Sequence, residues 1–347
     1  MTFLLDDELN LRLLSLLCAG KGLEINLLKL SKVLDRHRET IRKRVKELLR
    51  QKIIDRPIYP YIELFKEYPL LVIAYADLPN DGRTENWLSL DKNIFSAFKV
   101  REGDYNMMLF EFHRGLEEYL MWRDRLTVEG KIPERRVRIP SSVIYVSNRS
   151  ILKYEPNVSL KLIEIEMSNR GKTKIGNVTL DPLTLQIMKS LLSGVGIKTN
   201  ENLIGRDLQI HRATVKNRIQ KLLRARIILP PLCRFPNFFV PPDFLLVFSM
   251  LELKHRSSDF EKDILHDPHI SVAYHISQGR YNLLLFEVHR TIEDYLIWEA
   301  EYSKKYPLLF GSIKNNYLSP QMTIDIDQQK VSLAAIEDRL LDLTQNS

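Results

Sequence analysis

Gly103-Asp-Tyr-Asn-Met-Met-Leu-Phe-Glu-Phe-His-Arg-Gly-Leu-Glu-Glu-Tyr-Leu-Met-Trp122 returns later in the chain as Gly279-Arg-Tyr-Asn-Leu-Leu-Leu-Phe-Glu-Val-His-Arg-Thr-Ile-Glu-Asp-Tyr-Leu-Ile-Trp298, with 12 of 20 positions identical. Upstream, Leu34 to Ile54 realigns with Leu208 to Ile228 at 10 of 21 positions. The two offsets, 208 − 34 = 174 and 279 − 103 = 176, nearly agree. Two unlike motifs kept in order at one spacing read as a two-part unit written twice, with a period far too long for a solenoid. Each copy is domain-sized, so the sequence predicts a two-fold object on one polypeptide.

The quoted stretch predicts a Gly-containing hairpin, a third strand (105–113 and 281–289) and an amphipathic helix (116–126 and 292–302). Alternation sends Met108, Phe110 and Phe112 to one face and Met107, Leu109, Glu111 and His113 to the other. Upstream, 70–78 and 244–253 read as buried strands, followed by a polar helical stretch and a second strand (95–101 and 270–277). A fourth strand is placed at 137–146 and 311–318. Strand-helix-strand-strand-helix-strand is the ferredoxin-like order, which leaves one sheet face open, with the sister domain as its cover.

Ahead of each such half, helical spacing predicts three short helices. The first runs over 6–17 and 180–192, the second over 25–34 and 200–208. The third buries Ile41, Val45, Leu48 and Leu49, or Val215, Ile219, Leu222 and Leu223, and turns a basic face outward. Arg36 to Lys52 holds eight Lys/Arg against Glu39 and Glu47, and Ile210 to Arg226 holds six and no acid, each net +6. The whole chain is +7, so the remainder is 7 − 12 = −5, and the positive charge is concentrated at one place per copy. The candidate DNA-binding residues are Arg36, Arg38, Arg42, Lys43, Arg44 and Lys46 in the first copy and Arg212, Lys216, Asn217, Arg218 and Lys221 in the second. Arg44 and Arg218 lie nearer the apolar face, which points to packing or a backbone phosphate contact. The groove-facing sets differ between copies, which predicts an asymmetric or imperfectly palindromic site on double-stranded DNA.

The chain of 347 residues is 44% hydrophobic and 27% charged, an ordinary globular composition without low-complexity tails. Its two cysteines, Cys18 and Cys233, fall at unmatched places, which argues against a disulfide framework or a thiolate metal site. No apolar run is long enough to span a bilayer and Asp6-Asp7-Glu8 is unlike a signal peptide, so the expectation is a cytoplasmic protein without a membrane partner. No catalytic arrangement or phosphate loop stands out. The expectation is therefore a non-enzymatic chain with no metal and no cofactor. Glu111/His113 and Glu287/His289 read first as an ion pair at the rim of the sheet interface, with an effector pocket or a metal site across the pseudo-dyad as alternatives. Tyr119, Trp122, Tyr295 and Trp298 read as core or interface aromatics.

These features together resemble the Lrp/AsnC feast-or-famine transcription regulators. Leu34, Thr40, Arg44, Leu48 and Ile53-Ile54, their counterparts Leu208, Thr214, Arg218, Leu222 and Ile227-Ile228, and the hairpins Gly103-Asp104-Tyr105-Asn106 and Gly279-Arg280-Tyr281-Asn282 carry the resemblance. It implies an α+β chain in which two winged or helix-turn-helix domains alternate with two ferredoxin-like (βαββαβ) domains by internal duplication. The boundaries are 1–58, 59–168, 169–232 and 233–347. It further implies sequence-specific DNA binding as a covalent pseudo-dimer, itself able to pair again, and a small-molecule effector near Gly103, Tyr105, Asn106, Glu111, His113, Gly279, Tyr281, Asn282, Glu287 and His289. Two departures stand out: His37 and His211 occupy the usual Ser position at the start of the recognition helix, and Asn106 and Asn282 occupy that of a hairpin Asp. An alternative is a siroheme-decarboxylase-like enzyme, a family that also resembles Lrp/AsnC proteins. The repeated His113-Arg114 and His289-Arg290 would then meet a carboxylated macrocycle. A regulator of protein or RNA is a third reading.

Overall fold

The computed structural model describes residues 7–18, 26–51, 54, 68–100, 105–131, 142–147, 150–155, 158–175, 177–192, 200–228, 240, 244–276, 280–319, 323–324, 326 and 329–345. The fold is α+β with antiparallel sheets, and the chain forms two compact units. One gathers Met1–Glu67, Arg170–Pro236 and Asp327–Ser347; the other gathers Tyr68–Asn169 and Asn237–Ile326.

The second of these units holds two sheets. The first is built by β1 (Leu70–Ala76), α4 (Gly82–Leu90), β2 (Ile94–Lys99), β3 (Met107–His113), α5 (Leu116–Val128) and β4 (Ser142–Ser147), with strand order β2-β3-β1-β4. The second comprises β8 (Leu245–Leu253), α10 (Ser258–His266), β9 (Ile270–His275), β10 (Leu283–His289), α11 (Ile292–Lys305) and β11 (Phe310–Leu318), in the order β11-β8-β10-β9. Each sheet has one face under its own helices. Val72, Leu109, Tyr119 and Trp122 fill the first such core, and Val247, Leu285, Tyr295 and Trp298 the second. The opposite faces supply Phe110, whose ring lies 5.8 Å from Phe248 and 5.5 Å from Phe286, and the Tyr75 hydroxyl, which donates to Asn316.

The two halves also exchange chain, which the sequence did not announce. β5 (Ile151–Tyr154), which follows the first sheet, adds to β9 of the second as a fifth strand. In return the segment behind β11 docks on the first sheet: Thr323 bridges Phe98 and the Ile324 N–H donates to the Ala97 carbonyl at 3.0 Å. Ile324 is buried in the first core, and Leu152 packs on the second. Lys153, 5% exposed, fixes β5 by donating to the Ile264 and Asp267 carbonyls at 3.2 and 2.6 Å, at the C-terminal end of α10. A cation there meets the negative pole of the helix, although burial lowers its pKa.

The other unit carries two three-helix groups. The first is α1 (Glu8–Cys18), α2 (Leu27–Val33) and α3 (Arg38–Arg50); the second is α7 (Pro182–Leu192), α8 (Glu201–Asp207) and α9 (Arg212–Arg224). Linking the units, α6 (Val158–Arg170) leads into a hairpin of β6 (Thr173–Ile175) and β7 (Val178–Leu180) before α7, and α12 (Gln329–Gln345) packs along α1. The turn into each basic helix closes the same way. Leu34 and Leu208 cap the second helix, Asp35 and Gln209 take φ of 48° and 54°, and the next N–H, of Arg36 or Ile210, donates back to Ser31 or Gly205. This is a Schellman turn built without glycine at the left-handed position. Gly205 is needed for another reason, since a Cβ there would meet the Ile210 carbonyl oxygen at 2.8 Å.

The expected strand at 105–113 begins at Met107, after Asn106, whose side chain bonds the backbone of Leu78 just beyond the end of β1. Of the expected 137–146 strand, 137–141 lies outside the described residues and pairing runs over 142–147. Truncating Phe110 removes a ring with no exposure whose neighbours on the second sheet are themselves buried. Phe110→Ala is expected to cost about 3–5 kcal/mol in urea unfolding; a loss under about 1 kcal/mol would show that the two sheets do not depend on this contact.

Candidate functional site

The basic faces are built on a repeated latch. Asp7 accepts the Asn10 N–H at 3.0 Å and thereby caps α1, and it also holds the Arg44 guanidinium at 2.8 Å; Asn10 Oδ1 accepts a second bond from Arg44 at 2.7 Å. In the second group Asp181 caps α7 through the Thr184 N–H at 2.8 Å and receives Arg218, which also reaches the Thr184 hydroxyl. One carboxylate thus satisfies the start of the first helix and fixes the rotation of the third. Both carboxyls stay ionised: burial works to raise them, but the arginine and backbone bonds win, holding Asp7 below its ordinary value and Asp181 at about 2.

With the inner faces fixed, Arg36, Arg38, Arg42, Lys43 and Lys46 are exposed in the first group, and Arg212, Lys216, Asn217 and Lys221 in the second. Arg44 and Arg218 are half-buried in the latch. Arg42 pairs with Glu39 at 2.6 Å and Arg212 with Glu201 at 2.9 Å, solvent-exposed contacts that a phosphate can replace at little cost. His37 and His211 serve as N-caps despite replacing serine: Nδ1 accepts the Glu39 N–H at 3.4 Å and the Ala213 N–H at 3.2 Å.

The residues assigned to an effector are placed differently from expectation. Gly103 and Gly279 lie outside the described residues. Tyr105 lies against Tyr75 with ring centroids 5.8 Å apart, and Tyr281 is half-buried. Asn106 accepts the Leu78 N–H at 2.9 Å and donates to the Leu78 carbonyl at 2.6 Å; Asn282 does the same with Leu253 at 2.8 and 2.7 Å. These two bonds need both an amide donor and an amide acceptor, which an aspartate could not supply.

Glu111, His113, Glu287 and His289 are corrected outright. They do not line the rim of the sheet interface. Their strand face is the one that Met107 and Leu109 share, so all four lie under their own helices at 0 to 1% exposure. The two pairs occupy separate cores, which removes the shared metal site, and no cluster of three or more metal-ligating residues occurs among the described residues. His113 Nε2 is 3.4 Å from Glu111, and its Nδ1 meets Asn93 at 3.3 Å; His289 is 3.5 Å from Glu287 and stacks on His269 at 4.7 Å. Burial pushes both glutamates well above their ordinary range and the histidines down, to about 4 for His113 and about 3 for His289, where His269 adds to the effect. Both histidines are therefore neutral near pH 7. The cavity beside Glu287, about 10 Å³ in volume, suits a water and not an amino acid.

Around these pairs lies a polar set that the sequence reading missed. Asp267 accepts from the Trp298 indole at 2.7 Å, the Tyr302 hydroxyl at 2.8 Å and the His269 N–H at 2.7 Å; burial would raise it, but these bonds and His269 bring it to about 2. Asp91 accepts from Trp122 at 3.1 Å and from the Asn93 N–H at 2.9 Å. The available signal was an aspartate matched at the same offset in both copies, 267 − 91 = 176.

No known family profile matches the chain, and no curated protein does. Among solved structures, the siroheme decarboxylase NirDL is 12% identical, with 96% of this chain and 100% of that one covered, at a TM-score of 0.38. An AsnC family transcriptional regulator from Agrobacterium tumefaciens is 13% identical over 40% of this chain and 88% of its own, at 0.22; LrpC of B. subtilis is 15% identical over 42% and 95%, at 0.22. The expectation of a non-enzymatic chain is corrected by this comparison, because the structure spanned from end to end is that of an enzyme. At these identities and scores the likenesses assign no activity. No helix among the described residues is long and apolar enough to cross a membrane.

A histidine held at about 4 in the fold and near 6.5 when unfolded binds its proton only after unfolding across that window, so stability falls as pH drops from about 6.5 to 4. His113 and His289 together are expected to contribute several kcal/mol to this slope, on the order of 3 kcal/mol for His113 alone. Chemical unfolding followed across pH should show the slope reduced in a His113→Gln/His289→Gln variant; an unchanged slope would mean that the imidazoles are already charged in the fold.

Proposed function

We propose that the chain is a sequence-specific DNA-binding regulator that acts as a covalent pseudo-dimer, with α3 and α9 as its two reading helices. The observation that carries this reading is the repeated latch: in both groups an Asp–Arg contact turns one arginine of the third helix inward, and the helix's other candidate cations are exposed. Phosphate contacts from Arg36, Lys46 and Lys221 would position the duplex, while Arg38, Arg42 and Lys43, or Arg212, Lys216 and Asn217, would meet base edges. Because Lys43 and Asn217 differ at the matched position, the two half-sites would differ in sequence. The four-domain division at 58, 168 and 232 belongs to this reading, with each ferredoxin-like domain pairing its sister. An effector would have to enter away from the buried Glu-His pairs. Binding of the full chain to labelled duplexes from its own upstream region should weaken by roughly three orders of magnitude between about 50 and 200 mM salt. Arg38→Ala/Lys43→Ala and Lys216→Ala/Asn217→Ala should each weaken it about tenfold or more; salt-independent binding, or variants equal to the parent, would remove the reading.

A second reading, a siroheme-decarboxylase-like enzyme on the same scaffold, draws on the repeated His-Arg step. Arg114 lies over the Tyr68 ring at 5.5 Å and Arg290 over Phe244 at 4.9 Å, so that each half presents a guanidinium beside an aromatic face. Such a pair suits the carboxylates and the plane of a tetrapyrrole, whereas the adjacent histidines are enclosed in the core. Titrating the purified protein with siroheme would separate the readings. A saturable absorbance change lost in Arg114→Ala/Arg290→Ala supports the enzyme, and an unperturbed spectrum ends that use of the site.

A further inference from the structure

The hairpin of β6 and β7 stands directly beside α9. Its inner residues Thr173, Ile175, Val178 and Leu180 are buried, which anchors it, while Lys172, Lys174, Asn177 and Thr179 are exposed. Lys174 and Thr179 are cross-strand partners, so their side chains share one face. Between this face and α9 lies a cleft of about 380 Å³, lined by Thr179, Asp181, Thr214, Asn217, Arg218 and Lys221. Thr214, Asn217 and Lys221 follow one another at helical spacing along the outward side of α9.

The chemistry of the cleft is one-sided. Its carboxylate, Asp181, is already engaged by Arg218, so Lys221 sets the sign. The remaining polar groups are three threonine hydroxyls, of which that of Thr184 already donates to Asp181, and the Asn217 amide. A tetrahedral acceptor of charge −1 or more complements this set. The cationic row does not stop at the cleft. It runs on along the hairpin through Lys174 and Lys172, which suits a continuous polyanion better than a small free anion.

We infer that the β6–β7 hairpin is a second contact element for duplex DNA, seating one backbone phosphate over the cleft between Thr179 and Lys221 and the phosphates next to it along Lys174 and Lys172. The inference rests on the DNA-binding reading and adds to it a wing that precedes the three helices. The phosphate would pin the register of α9 in the groove. Base reading would stay with Lys216 and Asn217.

The test compares the full chain with Lys172→Gln/Lys174→Gln, which removes two positive charges at exposed positions, and with Lys172→Arg/Lys174→Arg, which keeps them. Lys221→Gln probes the helix side of the cleft. Duplex binding is followed by fluorescence anisotropy over a salt series, with far-UV circular dichroism confirming that each variant is folded. The Gln pair should bind about tenfold more weakly at low salt and lose about 1.8 from the slope of log K against log salt, at about 0.9 per phosphate contact. The Arg pair should restore both, and Lys221→Gln should lose about 0.9. If the parent binds duplex with a steep slope and the Gln pair binds identically, the inference is overturned while the DNA reading stands. If the parent binds no duplex, both fall. Inorganic pyrophosphate is titrated in parallel; saturable binding abolished by Lys221→Gln without any change in duplex affinity would assign the cleft to a free anion and also overturn the inference.

Discussion

The structure depends on the burial of two open sheet faces against each other. A sheet covered by helices on one side still has an apolar second side, and here Phe110 on one sheet and Phe248 and Phe286 on the other are each buried through mutual contact. Either sheet alone would leave that face wet. The exchanged segments reinforce the pairing, since Ile324 completes a core built by the first half and Leu152 packs on a core built by the second. Removing either half would therefore expose an interface and also open the core of the other. Lys153 adds a directional element to this exchange: buried and bonded to two carbonyls at a helix end, it tolerates no slip of β5 along β9 without leaving a buried charge unpaired.

A similar economy governs the helical unit. The start of a helix needs acceptors for its free N–H groups, and the third helix needs a fixed rotation about its axis. Asp7 with Arg44, and Asp181 with Arg218, meet both needs at one place. The positions that flank these arginines, such as Lys43, Lys46, Asn217 and Lys221, then have only one direction in which to point. Exposure of so many like charges opposes folding through self-repulsion, and a partner of opposite sign relieves it.

Much of this was legible in the sequence, and the reasons are specific. Element order along each sheet followed from continuous apolar runs such as Leu70–Ala76 and from the helical spacing of Leu116 to Leu126, local patterns set by burial. The latch was half legible, because Arg44 and Arg218 sit on the inner side of their helices, whereas their acid partners are more than thirty residues away and carry no periodic mark. The exchanged strand β5 and the return of Ile324 could not be read, since a short segment that completes a distant sheet has no local signature distinguishing it from a linker. The Glu-His pairs were misread for another reason: polar side chains on a strand face were taken to seek the rim. In the first core Asn93, itself bonded to Asp91, meets His113, and in the second His289 stacks on His269, which Asp267 holds.

Comparison of the matched positions separates what the fold requires from what a partner would select. Glu111 and Glu287, His113 and His289, Asn106 and Asn282, and Arg44 and Arg218 are identical between the halves, and each is either fully buried or bonded to its own domain. Several outward positions diverge instead, Arg42 corresponding to Lys216, Lys43 to Asn217 and Lys46 to Gln220, while Arg38 and Arg212 match. Packing inside two equivalent cores imposes the same solution twice, because a side chain of different shape or hydrogen-bonding capacity would have to be accommodated by several fixed neighbours. A solvent-facing side chain answers to no such neighbours, so its identity is free to follow whatever it meets outside. The segments that look most alike, and so dominate the first reading of the sequence, are for that reason the scaffold, and the less matched outer faces of α3 and α9 are where the two halves can act differently.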